Sequence, residues 1–287
     1  MAAVFKHEFR GYIHSLTAYL FAAFFLCFIG IGAMLYNIQA AVANFEYVLQ
    51  LVCIGMVVII PVLTMRVIAE EKKQKTDQLL YSLPLKTSQI VIGKYLAILV
   101  IFLIPMVIIA FYPLIFAQYG EVYLQTSYGS LIAFILMCAA MIAIGTFISS
   151  LTDNQGFAAG IGICVFLFNY YSVKLSEFVS ATPAGSFVGL AVIWGLIAVL
   201  IRHLTRNENL AIGIGLGGIV ILSAVFYFKR YLYEGLLPKV MSALSLFSRF
   251  DSFVNGVFDV TSIVFYLTVI VFFLFLTVQS LEKRRYN

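Results

Sequence analysis

The chain has 287 residues, of which 63% are hydrophobic and only 11% are charged. Soluble domains contain roughly 25% charged residues, so a water-soluble globular protein is excluded. The net charge is +5, but the charges lie in short clusters between long apolar runs, and they form no extended basic surface for nucleic acid. The composition therefore predicts an all-α, polytopic helical membrane protein.

The first fifteen residues have the pattern of a helix at a membrane surface. Apolar side chains, among them Phe5, Phe9 and Tyr12, alternate with polar ones such as Arg10. A helix with an apolar face and a basic face lies in the membrane interface rather than across the bilayer. We therefore expect residues 1–15 to form an interfacial helix in contact with membrane lipid.

Eight stretches are long and apolar enough to cross the ~30 Å hydrocarbon core, which takes about 20 residues. In chain order they are Leu16–Tyr36, Tyr47–Met65, Tyr95–Phe116, Tyr128–Ile148, Gly156–Val173, Thr182–Ile201, Leu210–Phe228 and Val260–Val278. No Lys, Arg, Asp or Glu lies within them, which fits the cost of roughly 2.5–3.5 kcal/mol for a charge at the helix centre. The fifth to seventh stretches are short or Gly-rich, so a re-entrant course is the alternative for them.

The distribution of Lys and Arg predicts the orientation. An even number of spans places both termini on one side, and that side carries thirteen Lys and Arg residues against five on the other. Asp and Glu divide almost evenly between the two sides. Because basic residues are in excess on cytoplasmic loops, we expect both termini to be cytoplasmic, in a plasma or inner membrane.

The richest polar segment, residues 66–94, connects the second and third spans. It begins as a continuation of the second helix and then becomes amphipathic, with Leu79 and Leu80 on its apolar face. Pro84 ends this piece, because the residue before a proline is biased away from the helical region. On composition alone, the segment is a solvated charged loop.

The sequence offers no catalytic motif. The glycines of Gly213-Ile-Gly215-Leu-Gly217-Gly218 lie inside a span, where small residues let helices pack closely. Gly93-Lys94 lacks the upstream glycine of a phosphate-binding loop. The spans carry none of the ionisable groups on which ion-coupled carriers depend. We expect no enzymatic activity, no metal and no cofactor bound to this chain.

The order of residues in segment 66–94 resembles the signature region of permease subunits of ABC-2-type transporters. That region has an acidic pair, basic residues, Gly-Thr, a Leu pair, Pro, and Gly-Lys at the next helix. The matching residues are Glu70-Glu71, Lys72-Lys73, Thr76, Leu79-Leu80, Pro84 and Gly93-Lys94, while Lys75 stands where the family usually has Gly. Asp153-Asn154-Gln155 resembles the second cytoplasmic turn of the family, and residues 250–286 are similar to the gliding-motility-type branch.

The resemblance implies that a separate ABC ATPase subunit, which holds ATP and Mg, docks on the two cytoplasmic connections. The implied contact residues are Glu70, Glu71, Lys72, Thr76, Leu79, Leu80, Tyr81, Pro84, Asp153 and Asn154. The chain would then be the permease of the transporter and couple ATP hydrolysis to export or to force transmission. A second permease copy and an extracytoplasmic auxiliary subunit are the further implied partners, in a prokaryotic cell.

The family usually has six spans, so the resemblance implies that residues 182–228 are an inserted pair of helices within a single domain of residues 1–287. Residues 229–259 mix apolar and charged side chains, which predicts an extracellular amphipathic segment. Asn169, Tyr170 and Tyr171 are candidates for the lining of a pathway. Two other functions stay open: an ATP-independent carrier or channel, and a membrane scaffold for an extracytoplasmic complex.

Overall fold

The structure, a computed structural model, describes residues 1–42, 44–76, 86–178, 182–205 and 208–286. Over these residues it contains helices and no strand, so the predicted all-α class is confirmed. The chain forms two compact units. Unit 1 consists of Met1–Leu167 with Arg249–Arg285, and unit 2 centres on Phe168–Ser248.

The α-helices of the described residues are numbered in chain order. They are α1 (Ala2–Ile13), α2 (Leu16–Ala33), α3 (Glu46–Thr64), α4 (Ala69–Gln74), α5 (Thr87–Ile109), α6 (Tyr112–Phe116), α7 (Leu124–Leu151), α8 (Gln155–Phe178), α9 (Pro183–Thr205), α10 (Glu208–Phe228), α11 (Leu236–Leu244), α12 (Leu246–Val254) and α13 (Val260–Tyr286). A π-helical turn over Met34–Gln39 extends α2, and a 3₁₀ turn over Arg230–Tyr233 precedes α11. The predicted amphipathic segment 229–259 thus contains two short helices.

Among the described residues, six helical stretches are long and apolar enough to cross a membrane. They are Leu16–Gln39, Glu46–Gln74, Thr87–Phe116, Leu124–Leu151, Gln155–Phe178 and Val260–Arg284. Each of them contains most or all of one predicted span. The predicted sixth and seventh spans form α9 and α10, whose described apolar stretches, Pro183–Leu196 and Ile212–Phe228, are shorter. Six of the eight predicted spans are therefore confirmed as candidate spans.

Helix α7 forms the centre of unit 1. The most apolar part of this helix is 83% buried, compared with 17% for α13. Small residues along α7 permit this packing, because helices in a membrane approach closely only where side chains are small. At Gly145, a Cβ would collide with the hydroxyl of Thr64 on α3. The Thr64 hydroxyl donates to the carbonyl of Ile60 at 3.0 Å, which fixes its position.

Aromatic rings connect four helices of unit 1. Phe25 of α2 is fully buried and lies 5.7 Å from the ring centroid of Phe102 on α5. Its ring also stacks on Phe134 of α7 at 6.2 Å, and Phe134 contacts the edge of Phe250 on α12 at 5.8 Å. Such ring pairs add about 0.5–1.5 kcal/mol each beyond the area that they bury.

Helices α9 and α10 of unit 2 pack together as an antiparallel pair. The indole Nε1 of Trp194 donates to the carbonyl of Ile214 at 3.1 Å. Gly218 lies directly against the same indole, and a Cβ at Gly215 would lie 3.2 Å from the Cβ of Ala198. Two glycines of the Gly213–Gly218 motif therefore serve helix packing, as the sequence predicts.

Candidate functional site

The most extensive polar cluster described lies at one end of unit 1, which we call the α1 end. Helix α1, the connection at residues 65–76, the connection at residues 150–154 and the last turns of α13 come together there. The apolar spans begin immediately beyond it. Each of these four segments contributes a charged side chain to the cluster, and its bonds join them to one another and to α5.

Lys94 of α5 is the most buried charged residue of this end, with 2% of its surface exposed. Its ammonium Nζ donates to Glu8 Oε1 and to Glu71 Oε1, both at 2.6 Å, and to the carbonyl of Val67 at 3.3 Å. We call Lys94, Glu8 and Glu71 the Lys94 cluster. It joins α1, α4 and α5 through one ammonium that is shared by two carboxylates.

The local sequence explains how α1 reaches Lys94. Val4, Glu8 and Tyr12 follow i, i+4 spacing and therefore lie on one face of α1, and both Val4 and Tyr12 are buried. A Cβ at Gly93 would lie 3.2 Å from Val4, so the glycine lets α1 approach α5. Burial, followed by the nearby Glu8 carboxylate, raises the pKa of Tyr12 well above its ordinary value.

Arg66 fixes the start of the first connection to α2. Its guanidinium binds the Glu70 carboxylate through two hydrogen bonds, from Nε at 2.9 Å and from Nη2 at 3.1 Å. Nη1 donates to the hydroxyl of Thr17 at 2.5 Å, close to the start of α2. This bidentate geometry is the stronger form of an arginine–carboxylate pair.

Ser149 of α7 holds the turn between α3 and α4. Its hydroxyl accepts from the backbone N–H groups of Ile68 at 3.2 Å and Ala69 at 3.1 Å, and it donates to the carbonyl of Met65 at 3.0 Å. Lys72 of α4 is 7% exposed, and its ammonium donates to the carbonyl of Ser150. The first connection is therefore attached to the end of α7.

The second connection is attached to α13. Asp153 accepts from Arg284 Nη1 at 2.8 Å, and the Lys72 ammonium lies 4.0 Å from the same carboxylate oxygen. The hydroxyl of Ser280 donates to the carbonyl of Ser150 at 3.2 Å. Asn154 caps α8, because its Oδ1 accepts from the N–H groups at the start of that helix.

The structure brings together most of the predicted ATPase-contact residues that it describes. Glu70, Glu71 and Lys72 form internal hydrogen bonds. Thr76 and Asp153 are exposed, and Asp153 is also paired with Arg284. The other predicted contact residues lie outside the described part of the chain: Leu79, Leu80, Tyr81 and Pro84.

Lys75 has the left-handed backbone conformation that the family's glycine would favour. Its φ is +58°, and it directly follows α4. The N–H of Thr76 bonds to the carbonyl of Glu71 at 3.0 Å, and the N–H of Lys75 bonds to that of Lys72 at 3.2 Å. This is the hydrogen-bond pattern of a Schellman motif, in which glycine is the usual residue.

The sequence reasoning gave no contact role to several residues of the site, among them Glu8, Ser149 and Arg284. A signal existed for Glu8, because it is a charge between two apolar residues at i, i+4 spacing. Arg284 lies in a basic tail whose partner could not be identified from order alone. Ser149 gave no signal, since a serine near the end of an apolar helix has no distinctive pattern.

Helix α1 is amphipathic, and its location at the membrane interface stays a prediction. The rings of Phe5 and Phe9 are half-buried and stack with centroids 5.7 Å apart, and Arg10 is exposed. Tyr12 differs from the expectation, because it is 8% exposed and faces the other helices of unit 1 rather than the outside.

The three candidate lining residues lie in unit 2. The side-chain amide of Asn169 donates to the carbonyl of Leu244 at 3.1 Å and accepts from the N–H of Leu246 at 2.9 Å. Tyr170 contacts the edge of Tyr171, with centroids 5.1 Å apart. Asn169 thus holds the connection between α11 and α12, and a pathway lined by these residues stays a prediction.

Residues 34–173 match the family model described as ABC-2 family transporter protein. No curated protein and no solved structure matches the chain. The matched segment runs from the end of α2 into α8 and contains both connections of the α1 end, but neither Glu8 nor Arg284. Together with the six apolar helices, the match identifies a multi-pass membrane protein that is similar to ABC-2 transporters.

Proposed function

We propose that the chain is the permease subunit of an ABC transporter and that a separate ATPase subunit docks on the α1 end. The similarity of residues 34–173 to ABC-2 family transporters supports a role in transport. The observation that carries the docking proposal is the joining of the two connections, residues 65–76 and 150–154, at one end of unit 1. A partner can contact both of them at once.

In this proposal the exposed and buried residues of the α1 end have different functions. Exposed side chains such as Lys73, Thr76 and Asp153 contact the ATPase. The Lys94 cluster transmits the movement, because a displacement of α4 shifts Glu71 and with it Lys94 and Glu8. A group of packed helices then moves as a rigid body, which is an established type of switching transition.

In this proposal, the energy for transport comes from ATP hydrolysis by the partner ATPase subunit. The sequence contains no phosphate-binding loop, so ATP and Mg are held by the ATPase subunit. No charged residue lies within the predicted spans, and coupling through an intramembrane charge is therefore unavailable. The chain would use the mechanical displacement of its α1 end for export or for force transmission to the other side of the membrane.

The finer features of the proposal follow from the same resemblance. We propose that two copies of the chain act with two ATPases, because one chain supplies half of a translocation path. Helices α9 and α10 are proposed to cross the membrane as an inserted pair, which gives eight spans and two cytoplasmic termini. An extracytoplasmic auxiliary subunit of the gliding-motility type is a further proposed partner, in a prokaryotic plasma membrane.

Co-purification tests the proposal. The tagged chain is solubilised gently from native membranes and assayed for vanadate-sensitive ATP hydrolysis. We expect an ATPase subunit to co-purify, and we expect Lys73→Glu with Lys75→Glu to reduce its recovery at least tenfold. Lys229→Glu with Lys239→Glu, which reverses two charges outside the α1 end, is the matched control and should leave the recovery unchanged.

Two results contradict the proposal. One is a pure, folded chain that carries no nucleotide hydrolysis. The other is an ATPase whose recovery is insensitive to both double variants, because its binding would then not depend on the α1 end. The melting temperatures of the variants establish that each is folded.

A further inference from the structure

One side of α1 is turned away from unit 1 and is basic. Val4, Glu8 and Tyr12 lie on the docked side. With 3.6 residues per turn, the exposed positions Lys6, His7, Arg10 and His14 lie on the opposite side. We call these four residues the basic face. They border a shallow groove of about 500 Å³, together with Ala3 and Gly11.

The basic face has no acidic residue on its own helix to neutralise it. Glu8 is the single acidic residue among the first fifteen. Its carboxylate points to the docked side and is bound to Lys94 at 2.6 Å. Lys6 and Arg10, at i, i+4 spacing, therefore present two like charges to the surroundings.

Helix α1 lies at the boundary of the hydrocarbon region. Helix α5 has 23 residues, which at 1.5 Å per residue is about 35 Å and exceeds the ~30 Å core. Lys94 is its one charged residue and directly precedes the apolar run from Tyr95. Val4 contacts this level of α5 through Gly93. Because the hydrocarbon core covers the apolar run and not Lys94, we infer that α1 lies at the depth of the lipid headgroups.

An apolar strip runs beside the basic face. Phe5 and Phe9 stack at 5.7 Å and are half-buried, on the flank between the docked side and the basic face. Rings beside basic residues on an interfacial helix insert at the acyl boundary while the charges stay with the headgroups. A soluble protein partner would require no such strip.

We propose that the basic face of α1 binds the headgroups of anionic phospholipids. The charge of Lys6 and Arg10 complements the phosphate and the net charge of such lipids, and the position of α1 brings it into their plane. The inference does not depend on the proposed transport function, because it rests on the charge and the depth of α1 alone.

Lipid binding to the full-length chain tests the inference. The purified protein in neutral detergent is titrated with dioleoyl-phosphatidylglycerol or with dioleoyl-phosphatidylcholine, and bound lipids are counted by native mass spectrometry. Each basic residue near an anionic surface contributes about fivefold to binding. We therefore expect Lys6→Gln with Arg10→Gln to lower the affinity for phosphatidylglycerol at least tenfold and to leave phosphatidylcholine binding unchanged.

The control variant is Lys73→Gln with Lys75→Gln, which removes the same charge from exposed positions on α4 and just after it. It should retain the preference for phosphatidylglycerol. An unchanged preference in the α1 variant overturns the inference, and so does an equal loss in both variants. A loss of ATPase recovery with unchanged lipid binding also overturns it, because the basic face would then bind a protein.

Discussion

Lys94 shows how one side chain can hold three helices at a membrane boundary. Its side chain is 2% exposed and its ammonium has two carboxylates at 2.6 Å, so the desolvation of the charge is compensated by direct pairing. The side chains of Glu8 and Glu71 are 15% and 25% exposed, which leaves them in partial contact with solvent. Removal of one member of such a pair costs more than the pair itself contributes, because the remaining charges stay buried.

We expect Lys94→Met to lower the free energy of unfolding by about 2 kcal/mol, less than the 3–5 kcal/mol of a fully buried pair because the two glutamates are partly exposed. The melting temperature in detergent should fall by about 4–8 °C. Adding Glu8→Gln and Glu71→Gln should restore most of the loss. Lys73→Met is the control and should change little, and a triple variant less stable than Lys94→Met would refute the pairing.

Asp251 and Asp259 are two aspartates near the other end of unit 1, and their pKa values are shifted in opposite directions. Burial raises the pKa of Asp251 above its ordinary value, against a hydrogen bond from Gln50 at 3.0 Å that acts to lower it. A hydrogen bond from the Ser262 hydroxyl at 2.6 Å lowers the pKa of Asp259, which caps α13. Ionised Asp251 therefore destabilises the fold, whereas ionised Asp259 stabilises it.

Substitution of the two aspartates by asparagine should change the melting temperature in opposite directions. At pH 7, Asp251→Asn should raise the melting temperature, because it removes a half-buried charge, and Asp259→Asn should lower it. The destabilisation by Asp251 appears as the pH rises through its raised pKa, and the stabilisation by Asp259 is lost as the pH falls through its lowered pKa. Melting curves between pH 3 and 7 measure both differences, which should converge in acid; shifts of the same sign would contradict the assignment.

At the scale of elements, α3 packs so closely against α7 and α8 that a glycine of α7 and one of α8 have no space for a Cβ atom. Gly145 faces the buried Thr64, and Gly162 of α8 faces Pro61 at 2.9 Å from an added Cβ. The sequence predicted helix packing for other glycines, but it could not identify these two, because a glycine inside an apolar run looks the same whether it faces a helix or lipid.

A pair of Gly→Ala substitutions tests this packing. Gly145→Ala should destabilise the protein by about 1–3 kcal/mol, as overpacking does in a well-packed core. Gly160→Ala is the control: nothing lies within 4 Å of its Cβ, so the gain in helix propensity should stabilise by about 0.5–1 kcal/mol. Thermal unfolding in the same detergent compares the two, and equal effects would mean that α3 and α7 do not touch at Gly145.

Local patterns predicted the elements far better than their contacts. The six confirmed spans follow from the length and apolarity of the sequence, and α1 follows from its alternating residues. The contacts of Ser149 with Ile68 and Ala69 depend on residues that are about 80 positions apart, and no short-range pattern encodes them. The contact of Glu71 with a partner stays a prediction, and no local pattern indicated its bond to Lys94.

At the scale of the whole molecule, the course of α9 and α10 determines on which side their connection lies. If both helices cross the membrane, Arg202 and Glu208, which form an ion pair, lie on the same side as the N-terminus. If they do not cross, the pair stays on the other side. Composition could not decide this, because apolar stretches of intermediate length fit either course.

Labelling with a membrane-impermeant thiol reagent shows on which side of the membrane the connection between α9 and α10 lies. In a chain whose four cysteines are replaced, Glu208→Cys should be protected in intact cells and labelled after permeabilisation. Glu121→Cys, in the connection before α7, should be labelled in intact cells, and Lys73→Cys only after permeabilisation. Labelling of position 208 in intact cells would reduce the proposed eight spans to six.

The left-handed conformation of Lys75 also affects how often the last turn of α4 opens. A residue other than glycine in the left-handed conformation costs roughly 1–2 kcal/mol, which corresponds to about a tenfold change in an equilibrium constant. The last turn of α4 should therefore open about ten times more often than it would with the family's glycine. Lys75→Gly should slow amide hydrogen exchange at Lys75 and Thr76 by that factor, so the native lysine raises the frequency with which the turn nearest the proposed partner opens.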